Sequence, residues 1–313
     1  MFALTGCLVG ACPSPSTRPG AAPATGQDVA PAAPTRTPGV TATQDVTRRL
    51  EGTELQVREV VLNRGGVPMS VWIYRRAELP PGTLLPVIVI AAAGSPLIWG
   101  MDLGEGDSPE HLPWAHGGYV VVAYSLDGPV ADQNNSAQVE AGIRAFVASH
   151  AGLDNARAAL DFALAHESGA DATRVYAVGH SSAATLALRF GAEDTRVKGV
   201  VAFAPVPKVE ERLGADVMAE IARVTPNTRT EIIASSPMSH LDALRTKPVY
   251  LFHASDDSNV PVADSQQFMA ALQPAFAGSH HEIVESGGHY NAMMSEGIPR
   301  AMKWLDALSP PTR

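Results

Sequence analysis

A succession of short, nearly continuous apolar runs sets the architecture: "LPVIVIAAAG", "GGYVVVAYS", "RVYAVG", "VKGVVAFAP" and "KPVYLFHAS". Runs of this length, rich in β-branched residues, belong to strands buried on both faces, as strands are in a parallel sheet. Between and after them lie stretches of helical period. "DNARAALDFALAHE" has Asp154 as N-cap ahead of Leu160, Ala163 and Leu164, and "SAATLALRF", "KVEERLGADVMAEIARV", "ADSQQFMAALQ" and "IPRAMKWLDAL" follow. "HHEIVES" reads as a last strand. Ahead of all these, "ELQVREVVLNRGGVPMSVWIYRRA" alternates polar and apolar residues on both sides of Asn63-Arg64-Gly65-Gly66, a hairpin signature. A hairpin followed by alternating strands and helices predicts one α/β domain over residues 48–313. Its central sheet is mostly parallel, with helices on both faces and an N-terminal antiparallel hairpin.

The first 47 residues differ in kind. Residues 13–47 are rich in Pro, Ala and Thr, have little to bury, and read as a disordered linker. Residues 1–12, "MFALTGCLVGAC", hold both cysteines of the chain. Leu4-Thr5-Gly6-Cys7 resembles a bacterial lipobox and Val9-Gly10-Ala11-Cys12 a second one, which makes Cys7 and Cys12 lipidation candidates. The basic n-region and longer apolar core of an export signal are missing, so the segment reads as a truncated lipoprotein signal. The expectation is an exported, lipid-anchored bacterial protein, with a cytoplasmic one as the alternative. With both cysteines at the start, no disulfide framework or thiolate metal site is expected. A net charge of −9 without any basic stripe argues against a nucleic-acid partner.

The chemistry concentrates in "RVYAVGHSSAATLALRF" (174–190). A G-x-S-x-A string carries weight only in a strand–turn–helix context, where the turn lifts a serine above the sheet and demands small residues two before and two after it. Gly179 and Ala183 meet that demand for Ser181. For Ser182 the flanking positions are His180 and Ala184, and a histidine does not fit. Ser181 is therefore the candidate nucleophile, and Ser182 supplies a backbone N–H. An acid and a histidine should follow in that order at strand ends. "YLFHASDDSNVPV" offers Asp256 and Asp257, and "IVESGGHYNAM" offers His289.

With these residues in view, the chain from about residue 54 to 308 resembles the α/β-hydrolases, in particular the dienelactone-hydrolase and prolyl-oligopeptidase-like branch. "HASDDSNVP" is similar to that branch's H-G-x-x-D-x-x-V-P acid loop, which implies Asp257 as the acid. "SPMSHLDALRTKPVYLFH", "HGGYVVVAYSLDG" and the "GGH" at His289 extend the likeness. Two positions depart from it. Ala91-Ala92-Ala93-Gly94 stands where the branch has His-Gly before its oxyanion loop, and Ala254 replaces the glycine of the acid loop. The resemblance implies a serine hydrolase acting on carboxylic esters through Ser181, His289 and Asp257. Its oxyanion hole would be the Ser182 N–H with that of Ala93, or else Gly94.

The expected partner is a small-molecule ester. No cofactor or metal is expected, and no protein partner can be inferred. His280 and His281 are strand neighbours that point to opposite faces, and His253 reads as a packed strand-end residue. "DLGEGDSPEH" (102–111) reads as a solvated loop, and segments 95–117, 126–150 and 205–240 as the walls of a substrate site, with Trp99, Trp114 and Met238 as candidate lining. Peptidases of the similar branch carry a large extra domain that these residues do not accommodate, which favours esters. Three alternatives stay open: a peptidase, an acyltransferase on the same triad, and a non-catalytic surface binding protein.

Overall fold

The computed structural model describes residues 40–308; Cys7 and Cys12, and with them the lipidation reading, lie outside the described residues. Nine strands form one sheet: β1 (Val40–Arg49), β2 (Leu55–Arg64), β3 (Val67–Arg76), β4 (Leu85–Ala91), β5 (Val120–Tyr124), β6 (Ala170–His180), β7 (Val197–Phe203), β8 (Val249–Ala254) and β9 (His280–Val284). Their spatial order is β1-β2-β3-β5-β4-β6-β7-β8-β9. The pairs from β1 through β3 to β5 are antiparallel, and every pair from β5 across to β9 is parallel. The nine helices among the described residues are α1 (Ser108–His116), α2 (Ser136–Ala148), α3 (Leu153–His166), α4 (Ser182–Glu193), α5 (Val209–Ile221), α6 (Thr228–Ser235), α7 (Leu241–Leu244), α8 (Val262–Leu272) and α9 (Ile298–Leu308). None is long and apolar enough to cross a membrane. The chain has the α/β-hydrolase fold.

The apolar runs behave as their composition dictates. β5 is buried along its whole length, as is β8, because helices cover both faces of the sheet. On one face Leu160, Leu188 and Phe268 of α3, α4 and α8 pack on alternate strand residues such as Val89, Val122 and Val200. On the other, Trp114 of α1 and Ile298, Ala301 and Leu305 of α9 pack on Ile88, Val121 and Phe252. A third cluster joins α2, α5 and α6 through Ile143, Val209, Met218 and Ile232 to loop residues Ile98, Trp99 and Val260. This puts α2, α5 and α6 next to the loops that follow the carboxyl ends of β4 and β8.

Five sequence expectations are corrected here. The sheet begins at Val40 and not at residue 48, so part of the expected linker is strand β1, registered against β2 from Val40↔Arg64 to Arg49↔Gln56. Segment 102–111 is not all loop. Its end enters α1, where Glu110 and His111 are buried, and Trp114 is fully buried core, not a pocket wall. The N-cap of α3 is Gly152; Asp154 lies inside the first turn, where its carboxylate bonds His150 Nδ1 at 2.8 Å and meets the positive end of the helix dipole. The α5 stretch is broken at Gly214, whose backbone is non-helical.

Candidate active site

The turn between β6 and α4 has the shape its sequence requires. A Cβ placed on Gly179 would sit 2.3 Å from the carbonyl carbon and oxygen of Ala183, so the close approach of strand to helix admits only glycine there. Ser181 carries the bend, with φ +56° and ψ −120°, a conformation that a side-chain-bearing residue adopts only under constraint. The constraint is visible. Ser181 N–H donates to Phe203 O of β7 (2.9 Å), and the Ser181 carbonyl accepts from Ala184 N (3.1 Å) and Thr185 N (3.2 Å). Strain of this kind is worth roughly 1–3 kcal/mol, more than the roughly 0.5–1 kcal/mol of extra chain entropy a glycine loses on folding. Ser181→Gly is therefore expected to be about 1 kcal/mol more stable than Ser181→Ala in urea unfolding, although both lack the hydroxyl. Equal stability, or a less stable glycine variant, would remove the strain from this account.

Two adjacent aspartates follow β8, and the structure gives them separate tasks. Asp257 Oδ2 lies 2.7 Å from His289 Nδ1, and its side chain is wholly buried. Its Oδ1 accepts the N–H groups of Asn259 (2.8 Å) and Val260 (2.9 Å). Burial alone would raise the Asp257 pKa. The bond from His289 and the Val260 and Asn259 N–H groups outweigh it and hold the carboxyl below its ordinary value, so it is ionised at neutral pH. Asp256 instead accepts from Gly288 N (2.8 Å) and Gly287 N (3.2 Å), closing the loop that carries His289.

Sequence reasoning missed a second donor on Asp257. His253, the residue taken as merely packed, has Nε2 3.1 Å from Asp257 Oδ2 and 3.0 Å from Val260 O. Both partners accept, so Nε2 bears the proton, and Nδ1 accepts from Ser265 Oγ at 2.7 Å. Burial lowers the His253 pKa, which keeps the ring neutral. Its sequence signal was its position, four residues ahead of Asp257 at a strand end.

Ser181 follows His180 directly, and the His180 ring packs on the His289 ring with centroids 4.6 Å apart, so the turn and the histidine loop are neighbours. The N–H of Ser182 opens α4, among the helix-end donors that have no carbonyl partner within the helix. After β4, Ala92 N–H is taken by Tyr124 O (2.9 Å), which leaves Ala93 and Gly94 as the next donors in the chain. Beside the turn lies a pocket lined by Leu97, Leu126, Phe146, Ser182, Leu186 and Arg189, with Ser95 and Ser235. Segments 95–117, 126–150 and 205–240 all contribute to it. Its free space is about 320 Å³ out to the open mouth, but the interior narrows to room for about one water-sized group. Ser182 Oγ is buried without a hydrogen-bond partner.

The prolyl oligopeptidase family profile matches residues 144–308, more than half of the chain, including the serine turn, both aspartates and His289. No curated protein is matched by the sequence. Among solved structures the chain is similar to an acylaminoacyl peptidase from Pyrococcus horikoshii, at 16% identity and a TM-score of 0.61, over 82% of this chain and 41% of that one. It is similar to acetyl xylan esterase 1 from a Thermoanaerobacterium species, at 13% identity and a TM-score of 0.59, over 87% and 88% of the two chains. A propionate-bound thermophilic esterase from Thermogutta terrifontis matches at 21% identity and a TM-score of 0.53, over 80% and 93%. At these identities the likeness is one of fold. The chain spans about two fifths of the peptidase's length.

Proposed function

Since the chain belongs to the prolyl oligopeptidase family, and so to the α/β-hydrolases, we propose that it is a serine hydrolase that cleaves carboxylic esters of short acyl groups. The observation that carries the reading is the 2.7 Å contact of His289 Nδ1 with the buried, ionised Asp257, on a loop packed against the serine turn. In this reading Asp257 holds the proton on His289 Nδ1, leaving Nε2 as the base. His289 takes the Ser181 proton as Oγ attacks the ester carbonyl, and returns it to the departing alcohol. Water then repeats the cycle on the acyl-enzyme. The N–H of Ser182 with that of Ala93, or of Gly94, faces the negative charge that develops on the carbonyl oxygen.

The narrow pocket beside Ser182 supports the choice of acyl group. Leu126, Phe146 and Leu186 close around an interior with room for about one water-sized group, about a methyl, so further methylenes would have to displace packed side chains. Across p-nitrophenyl esters, acetate and propionate should show kcat/KM at least about tenfold above octanoate. Leu186→Ala should shift the optimum to longer chains. An octanoate optimum in the wild type would contradict the assignment of this pocket.

Membership of a family named for a peptidase, and the likeness to an acylaminoacyl peptidase, favour a second reading, removal of an acylated residue from a peptide. Acyl-aminoacyl p-nitroanilides in the same assay separate the two: efficient anilide cleavage would favour the peptidase.

A further inference from the structure

We propose that His180, the residue between Gly179 and Ser181, is a positioning residue for His289, anchoring the main chain of the general base to the turn that carries the nucleophile. The inference rests on the reading of His289 as that base. His180 ends β6 and is 4% exposed. Its Nε2 lies 2.7 Å from the His289 carbonyl oxygen. A carbonyl only accepts, so Nε2 bears a proton and donates it. The other ring nitrogen, Nδ1, faces Glu110 Oε1 at 3.5 Å, a buried carboxyl in the first turn of α1. Turning the ring over would put carbon atoms at both contacts. Glu110 therefore faces the ring in the orientation that presents Nε2–H to His289.

The loop needs such an anchor. His289 follows Gly287 and Gly288, which have φ of +120° and +62° and impose little stiffness of their own. Asp256 holds the N–H groups of these two glycines, and Asp257 holds the imidazole at Nδ1. Neither of them fixes the peptide that follows the His289 Cα. His180 does, and the Tyr290 ring lies edge-on to its own, 5.8 Å away. Because His180 and Ser181 are consecutive, one rigid strand end sets the place of both nucleophile and base. A buried histidine without partners would be destabilising, and an apolar residue could fill the space. The hydrogen bond is what the histidine adds.

The test compares His180→Phe, His180→Gln and His180→Asn, with kcat and KM on a short-chain p-nitrophenyl ester and thermal unfolding of each variant. Phenylalanine keeps the ring and removes the donor. A displacement of about 1 Å at the base lowers turnover by about 10²-fold, so His180→Phe should lose about 30- to 100-fold in kcat with KM within about threefold of wild type. The Gln amide nitrogen reaches the place of His Nε2, whereas that of Asn reaches only the place of Nδ1. His180→Gln should therefore recover to within about fivefold of wild type, and His180→Asn should fall with phenylalanine. If His180→Phe does not unfold cooperatively, the Gln–Asn comparison decides. Wild-type kcat in His180→Phe, or equal losses in Gln and Asn, would overturn the proposal. The His289 Nδ1 proton gives a readout that does not need turnover. Its low-field resonance should persist in wild type and His180→Gln and broaden in His180→Phe. Sharp resonances in all variants would overturn the proposal, whereas a wild type that binds this proton but cleaves no ester would count against the hydrolase reading alone.

Discussion

Ser181→Ala is expected to lower turnover of a short-chain ester by about 10⁴-fold or more, with little change in unfolding free energy. The size follows from what is removed. Without Oγ no acyl-enzyme forms, and the remaining acceleration comes from the N–H groups around the carbonyl oxygen and from binding. Stability barely moves because alanine occupies the same strained backbone, with φ +56°, and the bonds that hold it run through the main chain to Phe203, Ala184 and Thr185. The adjacent serine is the control. Ser182→Ala keeps its N–H and deletes a buried hydroxyl that has no partner, so its loss should be at least about a hundredfold milder. Steady-state kinetics on the two variants decide between the serines; equal losses would mean the wrong one had been chosen.

Asp257→Asn should cost about 10³- to 10⁴-fold in kcat. The geometry makes the reason specific. One carboxylate oxygen accepts two main-chain N–H groups, those of Asn259 and Val260, and the other accepts from His289 and His253. An asparagine must aim its NH₂ at one of these pairs. The main-chain N–H groups cannot change, so the amide nitrogen turns toward the histidines and drives the His289 proton from Nδ1 to Nε2. A ring protonated at Nε2 cannot take the Ser181 proton. Asp256→Asn, which still offers an oxygen to the glycine loop, should lose no more than about tenfold. A larger effect at Asp256 than at Asp257 would reverse the assignment of the acid.

What could be read from the sequence follows from what each segment buries. The hairpin of β2 and β3 was legible because buried Val57, Met69 and Val71 alternate with less buried positions around a Gly-Gly turn. Strand β1 was not, because it buries almost nothing. Its side chains are exposed on both faces, and it is held by main-chain pairing and by ion pairs such as Arg58–Asp45 (2.6 Å) and Arg48–Glu59 (2.8 Å). Such a strand carries no period-two signal. Helix α1 hid in an acidic stretch for a related reason: two of its buried side chains, Glu110 and His111, are polar. The Ser108-Pro109 start was the cue available.

The candidate site divides in the same way. Ser181, Asp257 and His289 stand at strand ends in an order that the chain itself displays. The task of His180 depends on a contact that only the fold creates, β6 facing the His289 loop, whereas His253 meets Asp257, Val260 and Ser265 four to twelve residues further along the chain. No spacing in the sequence encodes that the histidine beside Ser181 will meet the carbonyl of another histidine more than a hundred residues on.

The most direct measurement is intact-mass analysis of the folded protein after exposure to a fluorophosphonate, followed by peptide mapping. An activated serine attacks the phosphorus and expels fluoride, so the account predicts a single adduct per chain, located on Ser181 and absent from Ser181→Ala. No adduct on folded wild type, or an adduct that survives in Ser181→Ala, would contradict it.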